Sequence, residues 1–178
     1  MPESLARGLP GLRRLDHVGL TVPDLDQAQA FFCEVIGCEL LYEMGALRRD
    51  DAWMAEHLNL PAGSALRGLK FLRCADGTQI ELLAFEACDP RPVPRNTDGG
   101  GHHLAFYVDD IDQATAHLRA HGVRVQGAPK ASASGPSAGQ HWVYFLTPWD
   151  LQCELVSYPH GKAFDRQQTT GDLHDDIH

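Results

Sequence analysis

The sequence predicts an α+β fold made of two β-α-β-β-β modules in tandem, which form cupped mixed sheets with the helices on the outside. The first observation is an internal repeat. His17–Ala28 aligns with His103–Ala114 at an offset of 86, with six identities in twelve positions. The second observation is that the same order of strand, helix and strand signals follows each copy. A repeat of this length is typical of a duplicated supersecondary unit, not of a solenoid.

The first module is predicted over residues 14–86. Its first strand alternates, with Val18 and Leu20 on one face, and the following helix begins at a capping box formed by Asp24 and Gln27. A helix capped by Asp50-Asp51 is expected inside the segment 45–68, and an Asp-Gly turn indicates a hairpin near the end of the module. The other predicted elements are strands at 38–44, 69–73 and 78–85, and the helix capped by Asp50-Asp51 runs through 53–58.

A linker rich in proline and glycine is predicted at 87–101, the second module at 102–159, and a tail without periodicity at 160–178. The two modules together make one domain over residues 14–159. The segment 128–139 is rich in Ser, Ala, Gly and Pro, which predicts a mobile loop. The second module has predicted strands at 102–108, 123–126, 142–146 and 151–158 and a helix through 110–118.

The composition narrows the class of protein. The formal net charge is −9, with no basic stripe that could follow phosphates, so a nucleic-acid partner is not expected. No apolar run approaches the ~18 residues of a membrane span, and the N-terminus lacks the apolar core of a signal peptide. We therefore expect a cytoplasmic protein with a small-molecule substrate and no membrane partner.

The cysteines are odd in number and contain no Cys-x-x-Cys pair, which argues against a disulfide framework and a zinc knuckle. Reduced thiols are expected, with Cys33 and Cys153 packed as small apolar residues. The five cysteines are Cys33, Cys38, Cys74, Cys88 and Cys153.

One face of each first strand carries a histidine beside a small residue. His17 lies two positions before Gly19, and His103 two positions before Ala105, on the side opposite the apolar residues. This pattern predicts a concave wall with room above it. By the same alternation His102 points away from that wall and is interpreted as structural.

The last strand of each module carries a carboxylate within an apolar run, Glu81 in the first and Glu154 in the second. Burying one such charge costs several kcal/mol unless it is paired or bound to a metal. Two imidazoles and two carboxylates suit a divalent metal ion, and nickel, zinc, cobalt, manganese or ferrous iron would all fit. The alternative is that each histidine is a packing residue, but four residues at matched places in a repeat favour a shared site.

The segments Asp16–Leu20, Gly101–Asp110 and Leu151–Val156 are similar to the vicinal oxygen chelate superfamily. That group includes glyoxalase I (lactoylglutathione lyase), methylmalonyl-CoA epimerase, fosfomycin-resistance enzymes, bleomycin-binding proteins and extradiol dioxygenases. The resemblance covers residues 14–159 and implies paired β-α-β-β-β modules around one divalent metal ion. The implied metal ligands are His17, Glu81, His103 and Glu154.

The resemblance implies a lyase, isomerase or epimerase that removes a proton next to a carbonyl and stabilises a metal-bound enediolate or enolate. Glu154 is then the first candidate for the base and Glu81 the second. The alternatives are a non-catalytic binding or resistance protein and an extradiol-type dioxygenase, and a homodimer is expected. The segment after Glu81 lacks the Asn-Trp-Gly pattern of glyoxalase I, which argues against glutathione. Candidate substrate contacts are Trp53, Tyr107, Tyr144 and Trp149, although Trp149 could instead be a turn aromatic that covers the last hairpin.

Overall fold

A computed structural model of the chain describes residues 9–86 and 91–166. These residues form two compact units. Of the described residues, 9–25 and 37–86 belong to the first unit, and 26–36 and 91–166 belong to the second. In the described ranges no helix is long and apolar enough to cross a membrane.

The strands of the first unit form one mixed sheet in the order β1-β4-β3-β2. β1 runs parallel to β4, and the other neighbouring pairs are antiparallel. The core face of this sheet carries Leu72, Ile80 and Leu82, all buried. The elements are β1 (His17–Thr21), β2 (Glu39–Met44), α2 (Asp51–Leu58), β3 (Ala65–Arg73) and β4 (Gln79–Glu86).

The second unit repeats this topology in the order β5-β9-β8-β6, with β5 parallel to β9 and β7 added against β8. Its core contains Val143, Phe145, Cys153 and Leu155 from the last two long strands. The predicted fold class, two mixed sheets with few helices, is confirmed. The elements are β5 (Leu104–Tyr107), α3 (Ile111–Ala120), β6 (Arg124–Val125), β7 (Lys130–Ala131), β8 (His141–Leu146) and β9 (Gln152–Ser157).

The helix starts follow the local signals in the sequence. Asp50 caps α2 by accepting a 2.9 Å hydrogen bond from the Trp53 amide, and Asp110 caps α3 in the same way through the Gln113 amide. Helix α1 (Leu25–Ala30) continues as a π-helical segment, Phe31–Ile36. The backbone turns out of this segment at Gly37, whose φ of 92° lies in the left-handed region that favours glycine.

Residues 26–36 belong by their contacts to the second unit, although they lie in the first half of the sequence. Phe31 and Phe32 pack there against Trp149, with ring centroids 5.7 and 6.1 Å apart. The Val35 carbonyl also accepts a 3.0 Å hydrogen bond from His117 on α3. The apolar residues of this helical segment therefore complete the core of the second unit.

The segment 128–139 was expected to be a mobile loop, and this expectation was wrong in part. Lys130 and Ala131 form strand β7 against β8, and Ser132 and Gln140 continue the pairing through a 2.8 Å hydrogen bond. The physical reason is that backbone groups here find partners across the turn despite the loop-like composition. Part of the tail expected at 160–178 is also ordered, because residues 163–166 form a helical turn.

Two cysteine expectations have different outcomes. Cys153 is fully buried, as expected of a small apolar residue, whereas Cys33 is only half-buried. Cys88 lies outside the described residues. Burial raises the pKa of the Cys153 thiol to about 12.

Trp149 provides a test of the core of the second unit. The ring is 8% exposed, and its indole N–H has no hydrogen-bond partner among the described residues. Replacing Trp149 by Ala should lower the free energy of unfolding by about 3–5 kcal/mol, because it empties a packed aromatic site. Replacing it by Phe keeps most of the packing and removes an unpaired donor, so the loss should be within about 2 kcal/mol. Urea denaturation followed by far-UV circular dichroism measures the free energy of unfolding of both variants. Equal decreases for Ala and Phe would contradict this account of the core.

Candidate metal centre

The first His–Glu pair stands on the open face of the sheet in the first unit. The parallel pairing of β1 with β4 sets Gly19 opposite Glu81, and His17 precedes Gly19 by two residues on the same face. The His17 Nε2 atom lies 3.5 Å from Oε2 of Glu81, with the two side chains 38% and 21% exposed. Both groups are therefore partly shielded and still open to a ligand.

Asp16 holds the ring of His17 from the other side. The His17 Nδ1 atom lies 3.0 Å from Oδ2 of Asp16. A carboxylate only accepts hydrogen bonds, so Nδ1 carries the proton and donates it. This hydrogen bond lowers the pKa of Asp16, and it leaves Nε2 as the nitrogen with a free lone pair when the ring is neutral.

The second unit contains the equivalent pair. The pairing of β5 with β9 sets Ala105 opposite Glu154, and His103 precedes Ala105 by two residues. The His103 Nε2 atom lies 3.4 Å from Oε2 of Glu154, with side chains 35% and 12% exposed. The repeat in the sequence has thus produced the same local arrangement twice.

Each pair has an aromatic ring beside its histidine. Phe71 faces Glu81 across the strands and contacts the His17 ring edge to face, at 5.2 Å between centroids. Tyr144 faces Glu154 and contacts His103 in the same manner at 5.4 Å. Each imidazole ring therefore packs against an aromatic side chain on its own sheet.

A second aromatic ring extends each of these contacts. Tyr42 on β2 is stacked on Phe71 at 5.1 Å, and Trp142 on β8 meets Tyr144 at 5.5 Å. The outer side of the Tyr42–Phe71 stack is open, since Tyr42 is 48% exposed. Each pair therefore adjoins an apolar aromatic surface on its own sheet, on the face that carries its histidine.

The two pairs differ in their polar surroundings. The position equivalent to Asp16 is His102, which hydrogen-bonds through Nδ1 to the Gly100 carbonyl at 3.1 Å. The position equivalent to Phe71 is Tyr144, so the second pair has a phenol where the first has a plain ring. Burial and the nearby charge of Glu154 raise the pKa of Tyr144, which keeps its hydroxyl protonated and able to donate.

The remaining candidate substrate contacts lie in different places. Tyr107 shares the face of His103 and Ala105 on β5, where it contacts Tyr158 at 4.8 Å and is 47% exposed. Trp53 lies on α2 against His57, at 4.6 Å. Trp149 is buried in the core of the second unit, where it packs against Phe31 and Phe32.

A cleft of about 460 Å³ opens elsewhere in the second unit. It lies between residues 27–35 of the helical segment and the turn at 146–150, and its lining includes neither His103 nor Glu154. Its walls carry charges of both signs, among them Glu34 and Arg124. This cleft is therefore separate from the His–Glu pair.

The donor atoms of each pair fit a divalent metal ion. Two donors that each lie ~2.1 Å from one ion are about 3.0–3.6 Å apart when the angle at the metal is between a right angle and 120°. The observed Nε2–Oε2 distances of 3.5 and 3.4 Å lie in that range. Among the residues that the structure describes, no group of three or more His, Cys, Asp or Glu side chains is placed to hold a metal ion. Each unit therefore offers two ligands, which is half of a usual coordination sphere.

Sequence reasoning did not assign a role to Asp16 or Phe71. Asp16 immediately precedes the repeated motif, and its position next to a candidate ligand was a usable signal. Phe71 had no signal of its own, because its contact with His17 depends on the register of three strands.

The sequence model of the glyoxalase/bleomycin resistance protein/dioxygenase superfamily matches residues 16–144. The chain is 48% identical over 163 residues to a 2-epi-5-epi-valiolone epimerase of Actinomyces sp., which covers 90% of this chain and 88% of the relative. It is 32% identical to an ethylmalonyl-CoA/methylmalonyl-CoA epimerase of Cereibacter sphaeroides, over 80% of this chain and 94% of the relative.

The fold is also similar to solved structures. A glyoxalase family protein from Bacillus cereus superposes with a TM-score of 0.64 at 23% sequence identity. The match covers 86% of this chain and 98% of that protein. This likeness supports the fold assignment made from the two sheets.

Proposed function

Since the chain belongs to the glyoxalase/bleomycin resistance protein/dioxygenase superfamily, we propose that it is a metal-dependent epimerase acting on a polyhydroxylated cyclic ketone of the valiolone type. Such a reaction inverts a carbon next to a carbonyl, by removing its proton from one face and returning a proton to the other. Two relatives named as epimerases, at 48% and 32% identity, support the reaction class over a glyoxalase reaction. The relative at 48% supports the substrate class.

The observation that carries the proposal is the His–Glu pair repeated in both units. Epimerisation needs one group that accepts a proton and another that donates one from the opposite side of the same carbon. One carboxylate in each unit, at matched places on open sheet faces, supplies the two groups. A fold with a single His–Glu pair would offer only one carboxylate for proton transfer.

The same four side chains are proposed to hold one divalent metal ion: His17 and Glu81 from the first unit, and His103 and Glu154 from the second. The proposal requires that the two pairs meet, within one chain or across a homodimer. When bound, a divalent ion polarises the substrate carbonyl and makes the neighbouring C–H more acidic. The imidazole and carboxylate donors suit nickel, zinc, cobalt, manganese or ferrous iron.

The two carboxylates are proposed to exchange protons with the substrate. Glu154 is the first candidate to accept the proton, because its strand neighbour Tyr144 supplies a protonated hydroxyl that can hydrogen-bond to the substrate. Glu81, which must carry a proton and be released from the ion at that stage, then donates this proton to the opposite face of the same carbon. Both carboxylates return to their starting states by proton exchange with water. Since both groups bind the ion and meet the substrate, we call both catalytic residues in this proposal.

The aromatic surfaces beside each histidine suit a ring substrate. The open Tyr42–Phe71 stack and the Tyr144–Trp142 contact offer flat apolar faces for the C–H side of a cyclohexane ring. The Tyr144 hydroxyl is available for a substrate hydroxyl at the edge of that ring. A long acyl chain would need an extended apolar groove, which these paired rings do not resemble.

The metal proposal is tested by elemental analysis of gently purified protein. The wild type should contain a stoichiometric divalent metal, and His103→Ala should reduce its metal affinity strongly, because one of four ligands is lost. His102→Ala is the matched control, since its ring is tied to the Gly100 carbonyl, and it should retain wild-type metal content. Absence of a divalent metal from the wild type would refute a metalloenzyme.

The reaction is tested by incubating the protein with 2-epi-5-epi-valiolone in deuterated water and following the product by NMR. Deuterium should enter at a carbon next to the carbonyl, together with inversion at that carbon. Glu154→Gln and Glu81→Gln should each lower this rate by about 10²–10⁴-fold, because each removes a proton-transfer group. Glu86→Gln, at the exposed end of β4, is the control and should keep the wild-type rate.

Metal content is measured on the same samples, so that loss of the ion is distinguished from loss of a base. Methylmalonyl-CoA is the comparison substrate. Exchange with methylmalonyl-CoA and none with the cyclic ketone would overturn the substrate class, and no exchange with either would overturn the epimerase.

Asp16 should strengthen the metal site by orienting His17. A carboxylate that fixes a ligating histidine typically contributes about 10–100-fold in metal affinity. Asp16→Ala should therefore weaken metal binding by that factor, as measured by competition with a chromophoric chelator. His102→Ala, at the equivalent position of the repeat, should leave the affinity unchanged. Equal effects of the two changes would mean that the Asp16–His17 hydrogen bond has no part in metal binding.

A further inference from the structure

Two cysteines meet at one end of the first sheet. Strands β2 and β3 are antiparallel, and Glu39 pairs with Arg73 at the end of their ladder. Cys38 and Cys74 are the next residues outward on each strand, and their Sγ atoms are 3.3 Å apart. Thirty-six positions separate them in the sequence, so only the strand pairing brings the two thiols together.

We propose that Cys38 and Cys74 form a dithiol site that a hydroperoxide oxidises to an intramolecular disulfide. The site lies outside both His–Glu pairs, and the proposal does not depend on the proposed epimerase reaction. Facing residues of an antiparallel pair have Cα atoms about 4.5–5.5 Å apart, which lies within the ~4.4–6.8 Å that a disulfide requires. Cys38 and Cys74 lie one residue beyond the last pair of the ladder, and their sulfur atoms are already 3.3 Å apart, so a small rotation of the side chains can bring them toward the ~2.05 Å of an S–S bond.

The two thiols differ in a way that assigns their roles. Cys38 is buried, whereas Cys74 is partly exposed and lines a cleft of about 490 Å³ together with Gly37, Glu39, Arg73 and Asp76. The hydrogen bond from Cys38 lowers the pKa of Cys74, which favours the thiolate at the accessible sulfur. Cys74 is thus the thiol that attacks the hydroperoxide. Cys38 is the resolving thiol, which reacts with the oxidised Cys74.

The reaction has two steps. The Cys74 thiolate attacks one oxygen of the hydroperoxide, giving a sulfenic acid and, after protonation, an alcohol or water. Cys38 then attacks the sulfenic sulfur, forming the S–S bond and releasing water. In total two thiols lose two electrons and two protons, and one O–O bond is reduced.

The disulfide would tie the start of β2 to the turn between β3 and β4. In the reduced protein this end of β2 is held by the Arg73–Glu39 ion pair of 2.7 Å, both members of which are largely exposed. Exposed ion pairs of this kind contribute little to stability. A covalent link at this corner would therefore fasten the edge strand that carries Tyr42.

The test uses the folded, fully reduced wild-type chain. It is treated with a small excess of hydrogen peroxide, blocked with N-ethylmaleimide and digested with trypsin followed by Glu-C. This digestion places each cysteine in its own peptide, because Glu34 separates Cys33 from Cys38 and Glu81 separates Cys74 from Cys88. The expected product is a reducible link between peptides 35–39 and 74–81, formed in most of the protein.

Three variants complete the experiment, with folding checked by circular dichroism. Cys74→Ser should abolish the link, and Cys38→Ser should leave Cys74 as a sulfenic acid that dimedone captures. Cys33→Ser is the matched control and should form the link as the wild type does. The proposal is overturned if Cys38 and Cys74 of the folded wild type are both alkylated after peroxide treatment. It is also overturned if Cys74 links mainly to Cys33 or Cys88.

Discussion

The parallel pairing of the first and last strands in each unit is the constraint on which the site depends. It sets Gly19 opposite Glu81 and Ala105 opposite Glu154, so that each histidine, two residues earlier, reaches the carboxylate on the same face. A slip of one residue would turn each glutamate toward the apolar core face. Leu82 and Leu155, which are buried and adjoin the glutamates, prevent this slip. A slip would expose their side chains and remove their apolar area from the core. The packing of the sheet thus fixes the chemistry of its open face.

Much of this arrangement could be predicted from the sequence, because its signals are local. Alternation identified which face each histidine occupies, the Asp caps located α2 and α3, and the repeat matched Glu81 with Glu154. Other features depend on contacts between residues far apart in the chain. Residues 26–36 join the second unit, and Trp149 is buried against them. The meeting of Cys38 with Cys74 likewise follows from register and not from spacing.

The aromatic contacts explain how two exposed imidazoles keep one orientation. A histidine at the end of a strand has free rotation about two side-chain bonds, and fixing such a side chain costs conformational entropy. Phe71 on β3 and Tyr144 on β8, each two strands away in its sheet, contact the two rings, and Asp16 adds a hydrogen bond to one of them. Much of this cost is then met in the folded protein before any ligand arrives, which is the basis of preorganisation in a binding site.

A duplicated site meets a particular difficulty in an epimerase, because two identical halves would give two carboxylates in the same state. The proposed reaction needs one carboxylate to accept a proton while the other carries one. The structure shows three differences between the surroundings of the two carboxylates. Asp16 places a negative charge behind His17, whereas the equivalent His102 adds no carboxylate behind His103. Tyr144 gives the second half a hydroxyl donor that Phe71 lacks, and Glu154 is the more buried of the two carboxylates. In the proposed reaction, the duplication would supply matched ligands for the metal ion, and the differences at the surrounding positions would distinguish the two faces of the substrate carbon.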